Sequence, residues 1–396
     1  MLSIAETLAI ANSVRTAALA DAPLPPSRRA MTGPTAPILA SGPVGIMSMV
    51  LSEVDPGMHK LYMEGIRHLQ MALAPATREQ YMKEWARFCK WCAEQPNPLI
   101  PLPATDLTVF VYLSFRSKLA ATDQAASVST VTMAHAAIKH IHRANQVPSN
   151  PADSMIVQDL VQAMRTTLAA TQQQAKPLTK EDVEKIAAMY AVPSSTDAQF
   201  SIAAMTTLSF HGLARFGDWQ DVQLRHVTVF PDHIDILVPA RKNDQEYRGH
   251  RITVLPSATG LNPMSITLQL LKRVKAADDK AKRTNVLALP LFRTFYGHHF
   301  TRGSGDPPLL AGRLEYKQFL QFLRVEAMAA LGISLQEANR YSAHSSRRGG
   351  ASHMADRGAT MMDIKMVGGW KSDAAPQLYV DQSEASRKAR AALTLL

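Results

Sequence analysis

"HSSRRGGASHMADRG", residues 344–358, sets a histidine, two arginines and two glycines side by side. In a helix, His344 and Arg347 stand three residues apart and share one face, while Arg348 points elsewhere. Gly349 and Gly350 leave a patch with no side chain, which reads as a surface able to receive an anion at close range. The same letters also fit a solvated basic helix start. The rest of the chain has to choose between the two.

The chain has 396 residues, enough for two domains that each bury a core. A formal net charge of +10 points to a polyanionic partner, either nucleic acid or an acidic membrane surface. No apolar run reaches the length of a transmembrane helix. The best candidate, residues 37–51, is short and broken by proline and glycine. The N-terminus lacks the order of a signal peptide, and Glu6 with sparse arginine argues against a mitochondrial leader. Two cysteines exclude a disulfide framework. They form a CxxC, Cys89 to Cys92, inside "TREQYMKEWARFCKWCAEQ", where Tyr81, Trp85, Phe88 and Cys92 recur at helical spacing. A redox pair or half a zinc site is conceivable, but no second cysteine pair completes a metal site, so the motif reads as core. His298 and His299, adjacent in a glycine-rich stretch, lack ligand spacing as well.

Residues 1–57 are rich in alanine, proline, serine and glycine and read as a mostly disordered arm. Residues 58–172 show helical periodicity, with helices expected at 60–73, 77–94, 104–120, 128–145 and 153–170. The stretch 173–396 forms the second domain. Thr179 with Asp182 opens a helix there as a capping box. This domain holds 29 Lys and Arg against 21 Asp and Glu, most of the basic excess. Residues 226–256 carry β-branched runs separated by turns, expected as a three-stranded antiparallel sheet, after which the pattern returns to helices. The fold class is therefore mainly α with a small antiparallel sheet.

Four features carry chemistry. In "HGLARFGDW", Arg215 follows a glycine that can end a helix, with Asp218 three residues on. In "PARKNDQ", Lys242 sits at the turn leaving the second expected strand. His344 and Arg347 form the third feature. "GGWKSDAAPQLYV" supplies Trp370 and Tyr379, the latter being the only tyrosine after Trp370. Phosphoryl transfer needs such a set. Two guanidiniums give forked, charge-assisted bonds to the non-bridging oxygens, and preorganised donors of this kind contribute roughly 3–4 kcal/mol each. A tyrosine hydroxyl becomes a competent nucleophile when positive neighbours stabilise the phenolate. A lysine on a β-turn can protonate the departing sugar oxygen. Neither metal nor cofactor is called for.

Arg215, Lys242, His344-x-x-Arg347, Trp370 and Tyr379 resemble, in order and spacing, the boxes of the tyrosine recombinase (phage integrase-like) family. The Arg347–Trp370–Tyr379 spacing is Cre-like, and the phrasing is similar to recombinases of eukaryotic Crypton and DIRS-type mobile elements. Each box alone is weak, but five in order across about 165 residues are strong evidence. The resemblance covers about 58–390. It implies an all-α core-binding (SAM-like) domain followed by a mixed α+β catalytic domain. It further implies that Arg215 and Arg347 clamp the scissile phosphate of double-stranded DNA and that Lys242 is the general acid. His344 would assist proton transfer, Trp370 would hold the pocket by packing and its indole N–H, and Asp218 would brace it. Tyr379 would form a 3′-phosphotyrosyl bond. Arg348 departs from the pattern, since many members place a histidine there.

Local signals agree. Gly358 can end the helix of His344 and Arg347, and Thr360 with Asp363 can open the next, which stops at Gly368–Gly369. Ser372 or Asp373 can cap a last segment with Pro376 in its first turn. Beyond Tyr379, Ser383 can cap a tail helix whose stripe is Ala385, Ala389, Ala392, Leu393 and Leu396. That helix either folds back on its own domain or, as the resemblance implies, docks in a neighbouring protomer of a DNA-bound homotetramer. The two domains are expected to clamp the duplex, in the nucleus of a eukaryote or with the nucleoid otherwise. The competing readings are a non-catalytic DNA-binding protein derived from a mobile element and a type IB topoisomerase.

Overall fold

The computed structural model describes residues 56–58, 60, 61, 64, 73–119, 128–145, 147–168, 175–241, 249–258, 260–295 and 308–380. They fall mainly into two compact units, divided in the sequence between Gln172 and Gln173. The arm 1–55, Lys242, His298, His299 and the tail from 381 lie outside the described residues, as does most of the helix expected at 60–73.

Among the described residues the first unit holds helices and no strand; its α-helices are α1 Pro75–Ala93, α2 Asp106–Leu119, α3 Val128–Ala144 and α4 Met155–Thr167. Each lies where the periodicity puts it. Proline in the first turn of α1 suits a position whose N–H has no intrahelical partner. The apolar stripe of α1 delivers Trp85, Phe88 and Cys92 to the core, where Phe88 and Trp91 meet Tyr112 of α2 at centroid distances of 4.8 and 5.2 Å. Burial raises the pKa of Cys89, and that of Cys92 to about 11, so both are thiols at neutral pH. Two buried polar groups are satisfied internally. Glu84 accepts from Tyr112 Oη at 3.0 Å and pairs with Arg87 and Arg116, which compensates its desolvation. His142 accepts the Ala104 N–H at 3.0 Å through Nε2 and donates from Nδ1 to Ile138 O at 2.9 Å. Burial lowers its pKa and keeps it neutral.

The second unit is built around α6 Asp197–His211, whose residues Ala198–Phe210 are all buried. A helix apolar on every side belongs inside its domain. Before it comes α5 Lys180–Tyr190, opened by the Thr179/Asp182 capping box that the sequence announces. The strands β1 Val227–Val229, β2 Ile234–Val238 and β3 His250–Val254 form an antiparallel sheet in the order 1-2-3, with Ile236 between Val227 and Ile252. α7 Pro263–Lys280 follows.

The chain then departs from expectation. It does not simply return to helices: β4 Arg293–Phe295 and β5 Leu309–Arg313 pair as a second, two-stranded antiparallel sheet. Its apolar signal is weak because the first residue of β4 is a fully buried arginine, held by Asp278 of α7 through two hydrogen bonds. A helical run follows: α8 Tyr316–Gln321 continues through a π-helical stretch, Phe322–Ala327, into Met328–Ala330. The remaining helices are α9 Leu335–Ala338, α10 Ser345–Asp356, α11 Met361–Gly368 and α12 Ala374–Gln377.

The glycine pair of α10 receives no ligand. A Cβ on Gly349 would stand 1.7 Å from Leu178 O, and one on Gly350 would stand 2.1 Å from Phe210 O. Both glycines are buried where α10 presses on α6 and on the chain entering α5. They let backbones touch, and the anion-patch reading of these two positions is wrong.

Candidate functional site

α6 stops at Gly212, where any Cβ would meet Ile252 at 2.7 Å, and the next residue, Leu213, takes the left-handed φ of +46°. That turn aims the Leu213 carbonyl at Arg347, which donates to it from Nη1. Two residues on, Arg215 caps a 3-10 turn, Phe216–Trp219. Its N–H donates to Asp218 Oδ2 at 3.0 Å, and the Trp219 indole N–H pins the turn to Ser209 of α6 at 2.8 Å.

Arg347, in the first turn of α10, is fully buried. Nη2 donates to Gly368 O at 3.0 Å, and Asp218 Oδ2 lies 3.9 Å from Nη1. Its guanidinium carbon lies 5.1 Å from the centroid of the Tyr379 ring. Burial, then the Arg215 charge, lowers its pKa to about 9, so it is cationic at neutral pH. His344, the residue before α10, is exposed, with its ring centroid 6.2 Å from that of Tyr379.

α11 starts on the Thr360/Asp363 capping box and ends on Gly369, in the left-handed conformation at φ +61°. The chain turns back sharply enough that a Cβ on Gly368 would lie 1.8 Å from the Trp370 ring. Trp370 is buried and meets Tyr379 at 5.1 Å between centroids, within a small apolar cluster that includes Leu213, Ala351, Ile364 and Val380. Its Nε1–H has no partner among the described residues. Tyr379 is half-buried just after α12. Asp373 precedes that helix but gives no capping bond, pairing with Lys365 instead.

Of the residues singled out in the sequence, His344, Arg347, Trp370 and Tyr379 thus meet around one point. Arg215 and Asp218 join them through the Asp218 carboxylate. Lys242 lies outside the described residues. Two further members were not legible. Arg241, three residues past β2, is buried; it donates from Nη1 to Gly368 O at 2.6 Å and has Asp218 Oδ2 3.5 Å from Nε. His250, at the start of β3, donates from Nε2 to Val367 O at 3.0 Å. Burial, then the Arg241 charge, lowers its pKa to about 4, leaving it neutral. The usable signal was position alone, since the two stand on either side of Lys242 in the sequence. Around Asp218 stand Arg215, Arg241 and Arg347, so the cluster keeps an excess of positive charge suited to an anion. Among the described residues no group of His, Cys, Asp and Glu is arranged to hold a metal, and no helix is long and apolar enough to cross a membrane.

No family model matches the chain. It is 24% identical over 197 residues to an integrase/recombinase xerD homolog of Selenomonas ruminantium, an alignment covering 49% of this chain and 55% of that protein. The chain thus spans about half the length of the curated relative it matches. Among solved structures it is similar to the XerH site-specific recombinase bound to palindromic difH substrate in a post-cleavage complex. That match has a TM-score of 0.50 and 11% identity, over 98% of this chain and 96% of that one. A lambda integrase dimer bound to a core site gives 0.47 and 14%, over 82% and 96%.

Proposed function

We propose that this chain, of the tyrosine recombinase (phage integrase-like) family, is a site-specific DNA strand-exchange enzyme working through a 3′-phosphotyrosyl intermediate. One observation carries the reading: Arg347 sits against the rings of both Trp370 and Tyr379, with His344 beside the latter. A guanidinium has five N–H donors, and Arg347 uses one each on Leu213 O and Gly368 O. The remaining donors, with Arg215 and the Trp370 indole N–H, serve the non-bridging oxygens of a scissile phosphate. Charge that builds there in the transition state meets donors already in place. Tyr379 attacks phosphorus, Lys242 protonates the departing 5′-oxygen, and His344 assists proton transfer. A partner strand's 5′-hydroxyl later displaces the tyrosine. Asp218 braces the guanidiniums, and the step needs no metal.

The partner is double-stranded DNA, held chiefly through phosphates, so affinity falls steeply with salt. Two sites bring four copies together, with residues 381–396 docking in the neighbouring protomer. Integration or excision of a mobile element, in the nucleus or with the nucleoid according to host, is the setting that such chemistry fits.

The test is covalent capture on nicked genomic duplex, resolved on a denaturing gel. The wild-type chain should carry DNA, and Tyr379→Phe should carry none while binding DNA within about twofold of wild type, because many phosphate contacts remain. A protein–DNA band that persists in Tyr379→Phe, or is absent from the wild type, overturns the reading. Sequencing the captured DNA identifies the site. Joining of two duplexes, as opposed to relaxation of a supercoiled plasmid alone, separates strand exchange from topoisomerase action.

A further inference from the structure

Arg347 and Arg348 are neighbours in sequence with different tasks. Consecutive helical residues diverge by about 100°. While Arg347 faces the two aromatic rings, Arg348 reaches beneath the last turn of the described chain. It is 8% exposed and donates from Nη1 to Leu378 O at 2.9 Å.

Leu378 directly precedes Tyr379, and its own side chain is 63% exposed, so packing of that side chain does not hold the segment. α12 has four residues, well below the length at which a helix sustains itself. The Tyr379 and Val380 N–H groups both close on Pro376 O, at 2.9 and 3.2 Å, making one tight turn. Pro376 and Val380 are buried and anchor its two ends. Between them, the Arg348 bond ties the peptide next to the tyrosine to α10.

We infer that Arg348 is a positioning residue. It fixes the Tyr379 backbone to α10, the helix that carries Arg347, so that one rigid element sets both the oxyanion donor and the reach of the nucleophile. The inference rests on the strand-exchange reading above. In that step a bond forms between Tyr379 Oη and phosphorus as the bond from phosphorus to the 5′-oxygen breaks. The phenolic proton leaves to water, and the 5′-oxygen takes a proton from the general acid. In-line attack depends on where Oη starts, and a misplacement of about 1 Å lowers such rates up to about 100-fold. A side chain that grips the preceding carbonyl acts on that coordinate without touching DNA.

The experiment uses full-length chains. Arg348→Ala removes the tie, and Arg348→Met removes it while keeping an apolar stem, which preserves folding if the alanine variant does not fold. Arg348→Lys restores one donor. In the absence of DNA, backbone hydrogen exchange over 374–380 should quicken in the alanine or methionine variant and recover in part in the lysine variant. Covalent attachment to nicked duplex at saturating DNA should slow roughly 10- to 100-fold, with affinity changed less than about twofold. A general structural loss would lower affinity and melting temperature together and would not be confined to this peptide. Unchanged exchange at 374–380, or wild-type attachment without the donor, overturns the inference. A wild-type chain that forms no adduct would sink the strand-exchange reading, while the exchange measurement would still report whether Arg348 holds the segment.

Discussion

The guanidinium carbon of Arg347 lies 3.8 Å from the centre of the Trp370 ring, although 23 positions separate the two in sequence. A cation over an aromatic face in a desolvated site is attracted by about 2 kcal/mol. The contact exists because α11 ends on two glycines that fold the ring back over the helix terminus, toward α10. Arg347 in turn holds the carbonyl of the first of those glycines.

Arg347→Lys keeps the charge but not the fork, so it cannot bond the Leu213 and Gly368 carbonyls and a phosphate together. Covalent attachment should slow by at least about 10²-fold. Single-turnover cleavage of a nicked substrate measures it, and a loss below about tenfold would remove Arg347 from the clamp.

Lys242→Ala should cleave poorly a duplex with an ordinary 5′-oxygen. It should regain most of its rate with a bridging sulfur at that atom, a leaving group that needs no proton. If sulfur rescues a different lysine variant instead, the acid is that lysine.

Gly349→Ala sets a methyl group against the Leu178 carbonyl, a backbone atom that cannot rotate away. The loss in stability should reach about 3 kcal/mol, read from the urea midpoint at constant slope. A near-neutral effect would show that α10 and the chain entering α5 can separate without loss.

His250 makes stability depend on pH. Its pKa in the folded chain is about 4 against an ordinary 6.5, so between those values the unfolded chain binds a proton that the folded chain refuses. The contribution is whole above about 6.5 and is lost as pH falls toward 4. Urea midpoints for the wild type and His250→Gln should therefore converge as pH drops through this window. Parallel curves would contradict a half-buried imidazole held neutral.

Deleting residues 384–396 should leave single-site binding intact and weaken cooperative assembly on two-site DNA. Gel-shift titration checks this, and equal cooperativity in the shortened chain would rule out docking in trans.

Much of this architecture was legible because it rests on short-range rules. Thr179/Asp182 and Thr360/Asp363 bond as their three-residue spacing requires, and the β-branched runs within 226–256 pair as a three-stranded antiparallel sheet. What escaped depends on partners far along the chain. Arg293 opens a strand only because Asp278 neutralises it inside the domain. Arg241 and His250 act through carbonyls more than a hundred residues away, which no local pattern reveals. The glycine pair shows the opposite failing: the sequence displays a bare patch, but the backbone that fills it, at Leu178 and Phe210, lies well over a hundred residues away.

Arg241 and His250 also bound the segment that holds Lys242, and they grip adjacent carbonyls at one helix end, Gly368 and Val367. Both residues flank that segment on the described side, one just past β2 and one opening β3. A displacement of the α11 terminus would therefore be passed to two neighbouring strands at once, so the three-stranded sheet and the helix end ahead of Trp370 act as a single lever.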